Sequence, residues 1–236
     1  MRNFLTILFL LVFVSGAQNL HAQKSMKYDV SAFTEITVKN NAKLILKQDS
    51  VQSVTVTATD EIFDKLVVEN KDRKLIIRYS SNTWFNSNWN PGAITVYVSI
   101  PQIDELTVSG SGSIIADERI SARVLDCYVN GSGTIRLSKL KAEKITSGLS
   151  GSGQLQLAGE NVVSEFKMSV SGSGNVKASG LKAKDVNVLI TGSGNCAVYA
   201  MEHLICKIAG SGNVTYSGNP EIKTTIVGSG KVREAK

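Results

Sequence analysis

The chain has 236 residues, 42% hydrophobic but only 6% aromatic, and a formal net charge of +6. That length suits one domain or one elongated repeat array, and the core has to be aliphatic. The basic residues are scattered, with no dense run interleaved with aromatics, which argues against nucleic acid as a partner.

Met1-Arg2-Asn3 is a short basic start, and Phe4 to Val14 is an apolar run of eleven residues. Small residues follow, with cleavage expected after Ala17 or Ala22. Residues 1–22 therefore read as a secretory signal, too short to span a bilayer. No cysteine lies near the cleavage zone, so lipid attachment is not expected there. No later apolar run reaches the ~18 residues of a membrane span. The expected product is exported, to the periplasm, the cell surface or the medium.

Residues 23–105 read as an irregular β part of the same domain as residues 106–236. Ile36/Val38, Leu44/Leu46, Val54/Val56, Leu66/Val68, Leu75/Ile77 and Val96/Val98/Ile100 alternate with polar residues, as half-buried strands do. The turns Lys39-Asn40-Asn41 and Asn70-Lys71-Asp72 are polar, and Asp60 to Lys65 suits one helical turn. This part is expected to form wider coils or a sheet that caps the repeat array. Both tryptophans fall in one polar segment, Thr83 to Gly92. Trp84, Phe85, Asn86, Asn88 and Trp89 are the candidate ligand-binding residues, because exposed indole rings beside amides suit stacking on sugars or on a protein partner. The alternative is that the rings fold back and plug the sheet.

Residues 106–236 carry the repeat. Gly-Ser-Gly occurs seven times, using Gly110 and Gly112, Gly131 and Gly133, Gly151 and Gly153, Gly172 and Gly174, Gly192 and Gly194, Gly210 and Gly212, and Gly228 and Gly230. The intervals run from 18 to 21 residues. Two residues before each motif stand Val108, Val129, Leu149, Val170, Ile190, Ile208 and Ile226. Four residues after its first glycine stand Ile114, Ile135, Leu155, Val176, Cys196, Val214 and Val232. Polar residues separate them, so the period is 2 on both sides of a bend. Each repeat is a strand, a glycine corner and a second strand, with a third short strand following at Ile120, Leu140 and Leu181. Serine between the glycines is expected to bond to nearby backbone. One coil of 18–21 residues cannot bury a core alone, but stacked coils can, with equivalent positions roughly 4.8 Å apart. The expected fold is all-β, a parallel β-helix or solenoid.

Phe33-x-x-Ile36-x-Val38, Val98-Ser99-Ile100-Pro101-x-Ile103 and the serial Gly-Ser-Gly coils resemble the "putative auto-transporter adhesin, head GIN domain" family of Bacteroidetes-type bacteria, over about Lys27 to Val232. The resemblance implies a β-helical exported or envelope protein of a Gram-negative bacterium and brings no catalytic residues. Only four residues follow Val232, against the eight or more strands of a translocating barrel, so self-translocation is not expected.

The residues suggest little chemistry. Past the signal there is one histidine, His203, expected as a solvated residue in a Met201-Glu202-His203 turn. No His/Cys set has metal-ligand spacing, and Gly-Ser-Gly-Asn lacks the Lys-Ser/Thr of a phosphate loop, so neither metal nor cofactor is expected. Cys127, Cys196 and Cys206 fall at inward positions and read as free core thiols. Glu105 and Asp126 both stand five residues before a first glycine, which would stack them at roughly the spacing of a retaining glycosidase pair. Taken together, these residues point to an exported, non-catalytic binding module that engages a glycan or a cell-surface protein. The alternatives are a solenoid-type polysaccharide lyase or glycosidase, and a purely structural periplasmic protein.

Overall fold

A computed structural model describes residues 23–80 and 92–235. The N-terminal elements are β1 (Lys24–Tyr28), β2 (Glu35–Val38), β3 (Lys43–Gln48), β4 (Ser53–Ala58), α1 (Asp60–Phe63), β5 (Leu66–Lys71), β6 (Lys74–Tyr79) and β7 (Thr95–Ile100). The repeat part comprises β8 (Glu105–Gly110), β9 (Ser113–Gly131), β10 (Thr134–Gly151), β11 (Gln154–Gly159), β12 (Val163–Gly172), β13 (Asn175–Gly192), β14 (Asn195–Gly210), β15 (Asn213–Ser217), β16 (Glu221–Gly228) and β17 (Lys231–Glu234).

From β8 onward every coil pairs in parallel with the next, in the register that the glycine motifs set. Val108, Val129, Leu149, Val170, Ile190, Ile208 and Ile226 form one ladder. Ile114, Ile135, Leu155, Val176, Cys196, Val214 and Val232 form the other. Both ladders are buried as far as Ile208 and Val214; Ile226, in the last coil, is 40% exposed. The result is one aliphatic column, the solenoid core.

The corners show why glycine recurs. Gly192 has φ +123°, a conformation that side chains rarely adopt, and a Cβ there would sit 2.5 Å from the Gly172 carbonyl oxygen. The serines differ from expectation. It is the backbone N–H of the corner serine that makes the bond, as Ser193 N–H donates to Gly172 O at 2.8 Å. Beside the corners Asn175, Asn195 and Asn213 form an amide ladder, with Nδ2 to Oδ1 distances of 3.2 and 3.1 Å.

The N-terminal part combines both expected arrangements. β2 and β3 form a coil that stacks on β8 and β9, pairing Ile36 with Leu106, Val38 with Val108 and Leu44 with Ile114. Its corner has no glycine. Asn40 Oδ1 accepts the Ala42 N–H at 3.1 Å and shapes the turn instead. β6 and β7 form a further coil on the other side of β2 and β3, pairing Val38 with Ile77 and Leu44 with Val96. Spatial order thus departs from chain order: β6 and β7 lie between β2 and β3 on one side and β5 and β4 on the other, and β2 and β3 lie between them and the regular array. β1, β4 and β7 pair antiparallel, as do β5 and β6, and these close the end as a sheet. The short α1 seals an edge with Ile62, which is buried.

Candidate functional site

The expected ligand-binding residues Trp84, Phe85, Asn86, Asn88 and Trp89 lie outside the described residues, as does the expected signal, 1–22. The flanks of the tryptophan segment are nevertheless placed. Val38 pairs with Ile77 and Lys43 with Thr95. Lys39 N–H donates to Ile77 O at 2.8 Å, and Lys43 N–H to Ile94 O at 2.9 Å. β2 is joined to β3 by four residues, 39–42, and β6 to β7 by residues 80–94. The longer of these two connections carries both tryptophans of the chain.

At the end of β6 is a 510 Å³ depression lined by Lys39, Asn40, Asn41, Tyr79, Ser109, Gly110 and Ser111. The Tyr79 hydroxyl donates to Asn41 Oδ1. Burial pushes the Tyr79 phenol up to about 12, so it is a neutral donor at any physiological pH. Asn40 is buried, and its Nδ2 has no hydrogen-bond partner among the described residues.

The sheet face that precedes the corners carries three further groups. Glu35, Glu105 and Asp126 stack in register on successive coils. Lys74 Nζ bridges Glu35 Oε2 at 2.8 Å and Glu105 Oε1 at 3.1 Å, and Thr107 Oγ1 donates to Glu105 Oε1 at 3.0 Å. The expected pairing of Glu105 with Asp126 is thus present. Its surroundings are those of a carboxylate ladder tied by one lysine, with Glu105 already occupied. Asp126 is raised from its ordinary value, chiefly by burial; a hydrogen bond with Thr146 works against this, and Glu105 and Glu35 beside it add to it.

Further along the same face, a 380 Å³ depression is lined among others by Met168, Val188, Leu189, Ile205, Lys167 and Lys207. Leu189 is 45% exposed and Ile205 37%, so this is an apolar floor with basic groups at its rim.

His203 lies in β14 and not in a turn. Its Nδ1 is 2.6 Å from Asp185 Oδ1 on the preceding coil, and that bond raises the imidazole above its ordinary value. Glu202 is paired with Lys184 at 3.0 Å. The sequence reading missed this grouping, although Asp185 and His203 both stand seven residues before a first glycine, as do Glu165 and Glu221. Cys127, Cys196 and Cys206 are free and buried, as expected.

Among the described residues no helix is long and apolar enough to cross a membrane. The family model "Putative auto-transporter adhesin, head GIN domain" matches residues 32–220, from the first N-terminal coil to the sixth glycine corner and beyond. The chain belongs to this family. Solved structures share the fold. A putative adhesin from Bacteroides fragilis NCTC 9343 superposes with a TM-score of 0.83 at 20% identity, covering 91% of this chain and 97% of that one. A putative lipid binding protein from Parabacteroides distasonis ATCC 8503 gives 0.73 at 28% identity, covering 91% and 97%. A putative adhesin from the same organism gives 0.71 at 24%, with the same coverage. No curated protein matches the chain.

Proposed function

We propose that this head GIN protein is an exported, non-catalytic binding module of the cell envelope, which presents a rigid β-solenoid and binds a glycan or a cell-surface protein through its tryptophan segment. The observation that carries the reading is that both indole rings of the chain fall in one polar segment between β6 and β7. β2 and β3, which pair with β6 and β7, are joined by four residues, whereas β6 and β7 are joined by residues 80–94. A ligand held by Trp84, Phe85, Asn86, Asn88 and Trp89 would stack on aromatic faces. The polar depression at the end of β6 holds Tyr79, Asn41 and Ser111 as further hydrogen-bonding groups. The family name and the apolar signal-like start support export to the surface. The occupied state of Glu105 favours binding over polysaccharide cleavage.

The test is a glycan array together with whole-cell binding, comparing wild type with Trp84→Ala/Trp89→Ala. Loss of binding with an unchanged circular dichroism spectrum is the expected result. Equal binding by the variant refutes the assignment of the site, and measurable turnover of a polysaccharide refutes the non-catalytic reading.

A second reading rests on a different observation. The exposed floor of Leu189 and Ile205 with Lys167 and Lys207 at its rim has the chemistry to hold an acyl chain with an anionic head. One structural neighbour, from Parabacteroides distasonis, is a putative lipid binding protein. Displacement of a fluorescent fatty acid by wild type but not by Leu189→Asp favours this reading; equal displacement by both removes it.

A further inference from the structure

We propose that His203, Asp185 and Glu202 form a surface site for one divalent transition-metal ion of the zinc class. One ligand atom from each of the three lies within 4.8 Å of the other two. At a tetrahedral ion with bonds of about 2.0–2.1 Å, neighbouring ligand atoms lie roughly 3.3 Å apart. His203 Nδ1 and Asp185 Oδ1 are now 2.6 Å apart across a hydrogen bond, so an ion that replaces that proton needs only a small opening of two exposed side chains.

Two features of the fold assemble the group. The first is register: Asp185 and His203 are direct partners on adjacent parallel strands, and Glu221 is the next partner in the same ladder. The second is a bulge. Ala183 pairs with Ala200 and Asp185 with His203, so β14 carries one extra residue between these pairs. In a regular strand Glu202 and His203 would face opposite ways. Here Met201, Glu202 and His203 are all exposed, and the bulge turns Glu202 to the side of the imidazole. Bulges re-aim side chains in this way beside functional sites.

The donor set indicates the ion. One imidazole nitrogen with two carboxylates suits zinc and its neighbours in the first transition row, whereas calcium and magnesium prefer oxygen alone. A neutral histidine with two carboxylates also balances the charge of a divalent cation. Asp185 has no lysine or arginine partner among the described residues. A 260 Å³ depression beside His203 and Asp185 leaves room for water in the remaining coordination positions. Lys184 is the built-in competitor, because its ammonium now occupies Glu202.

The experiment is titration of the untagged, chelator-stripped protein with zinc chloride by calorimetry, with the imidazole resonances followed by NMR. The expected result is one equivalent bound, with the His203 signals shifted and any His21 signals unmoved. His203→Ala and Asp185→Asn each weaken binding by at least about tenfold, as loss of a metal-supporting group does. Lys184→Met tightens it by releasing Glu202. These positions are exposed, and a circular dichroism spectrum verifies each fold. The proposal is overturned if His203→Ala binds as tightly as wild type, if millimolar zinc leaves His203 unshifted, or if calcium competes equally. An unchanged affinity in Lys184→Met likewise overturns the three-ligand site.

Discussion

Gly192→Ala should destabilise the solenoid far more than any change at the neighbouring Ser193. Two costs add at Gly192. Its φ of +123° belongs to a region that an alanine occupies only under strain, at about 1–3 kcal/mol. The new Cβ would also lie 2.5 Å from the Gly172 carbonyl oxygen. That oxygen cannot easily retreat, because it accepts the Ser193 N–H at 2.8 Å and forms part of the corner ladder. Relieving such an overlap by backbone movement adds about 1–3 kcal/mol. The sum, about 2–6 kcal/mol, is a large share of the ~5–15 kcal/mol that usually separates folded from unfolded chains. With a melting shift of about 2–4 °C per kcal/mol at this chain length, the midpoint should fall by roughly 5–20 °C. Ser193→Ala removes only a hydroxyl and keeps the N–H that makes the corner bond, so it should stay within about 0.5 kcal/mol of wild type. Thermal and urea unfolding followed by circular dichroism compares the two. Equal stability of Gly192→Ala and Ser193→Ala would refute the argument that backbone shape and close stacking explain the glycines.

Three other outcomes are expected of the same structure. Ser147 is buried between Cys127 and Met168 in an inward ladder, with its hydroxyl unpartnered among the described residues. Ser147→Ala should therefore stabilise by about 1 kcal/mol, and a lower urea midpoint would contradict this. Asp126 holds its proton more tightly in the fold than in the unfolded chain, chiefly because it is partly buried. The stability supplied by that proton is complete below the unfolded value of about 4 and is lost as pH rises through the folded value. Asp126→Asn should thus match wild type at about pH 3 and exceed it at neutral pH; a difference independent of pH would count against the carboxylate ladder. Burial pushes Cys196 and Cys206 up to about 12, and Cys127 higher still. A thiol reagent should label none of them in the native protein and all three after unfolding, and rapid native labelling would show that the core is open.

The repeat half was legible in the sequence because its period is written in glycine. Once Gly110 to Gly228 are aligned, the inward ladders can be read directly, and the cysteines fall into them. The N-terminal half was less so. Its strands are evident from alternation, but β2 pairs with both β6 and β8, and nothing local in Ile36 or Val38 specifies two partners so distant in the chain. Its corner was also disguised, because an asparagine side chain shapes the turn through Ala42 where the later coils use glycine.

The case of His203 shows how a site on a solenoid has to be read. Along the chain, Met201-Glu202-His203 has no partner in sight and looks like an isolated polar turn. Counted back from the glycine corners, the positions seven residues earlier give Lys144, Glu165, Asp185, His203 and Glu221, all on one ladder. A parallel coil converts sequence separations of 18 to 21 residues into contacts, so chemistry that is dispersed along the chain becomes adjacent on the face. Register alone stacks like with like and yields a row of side chains, as at Glu35, Glu105 and Asp126. A bulge such as the one in β14 breaks the row and brings in a side chain from the next position. On this fold, a ladder interrupted by a bulge is therefore a better guide to a binding site than any motif contiguous in sequence.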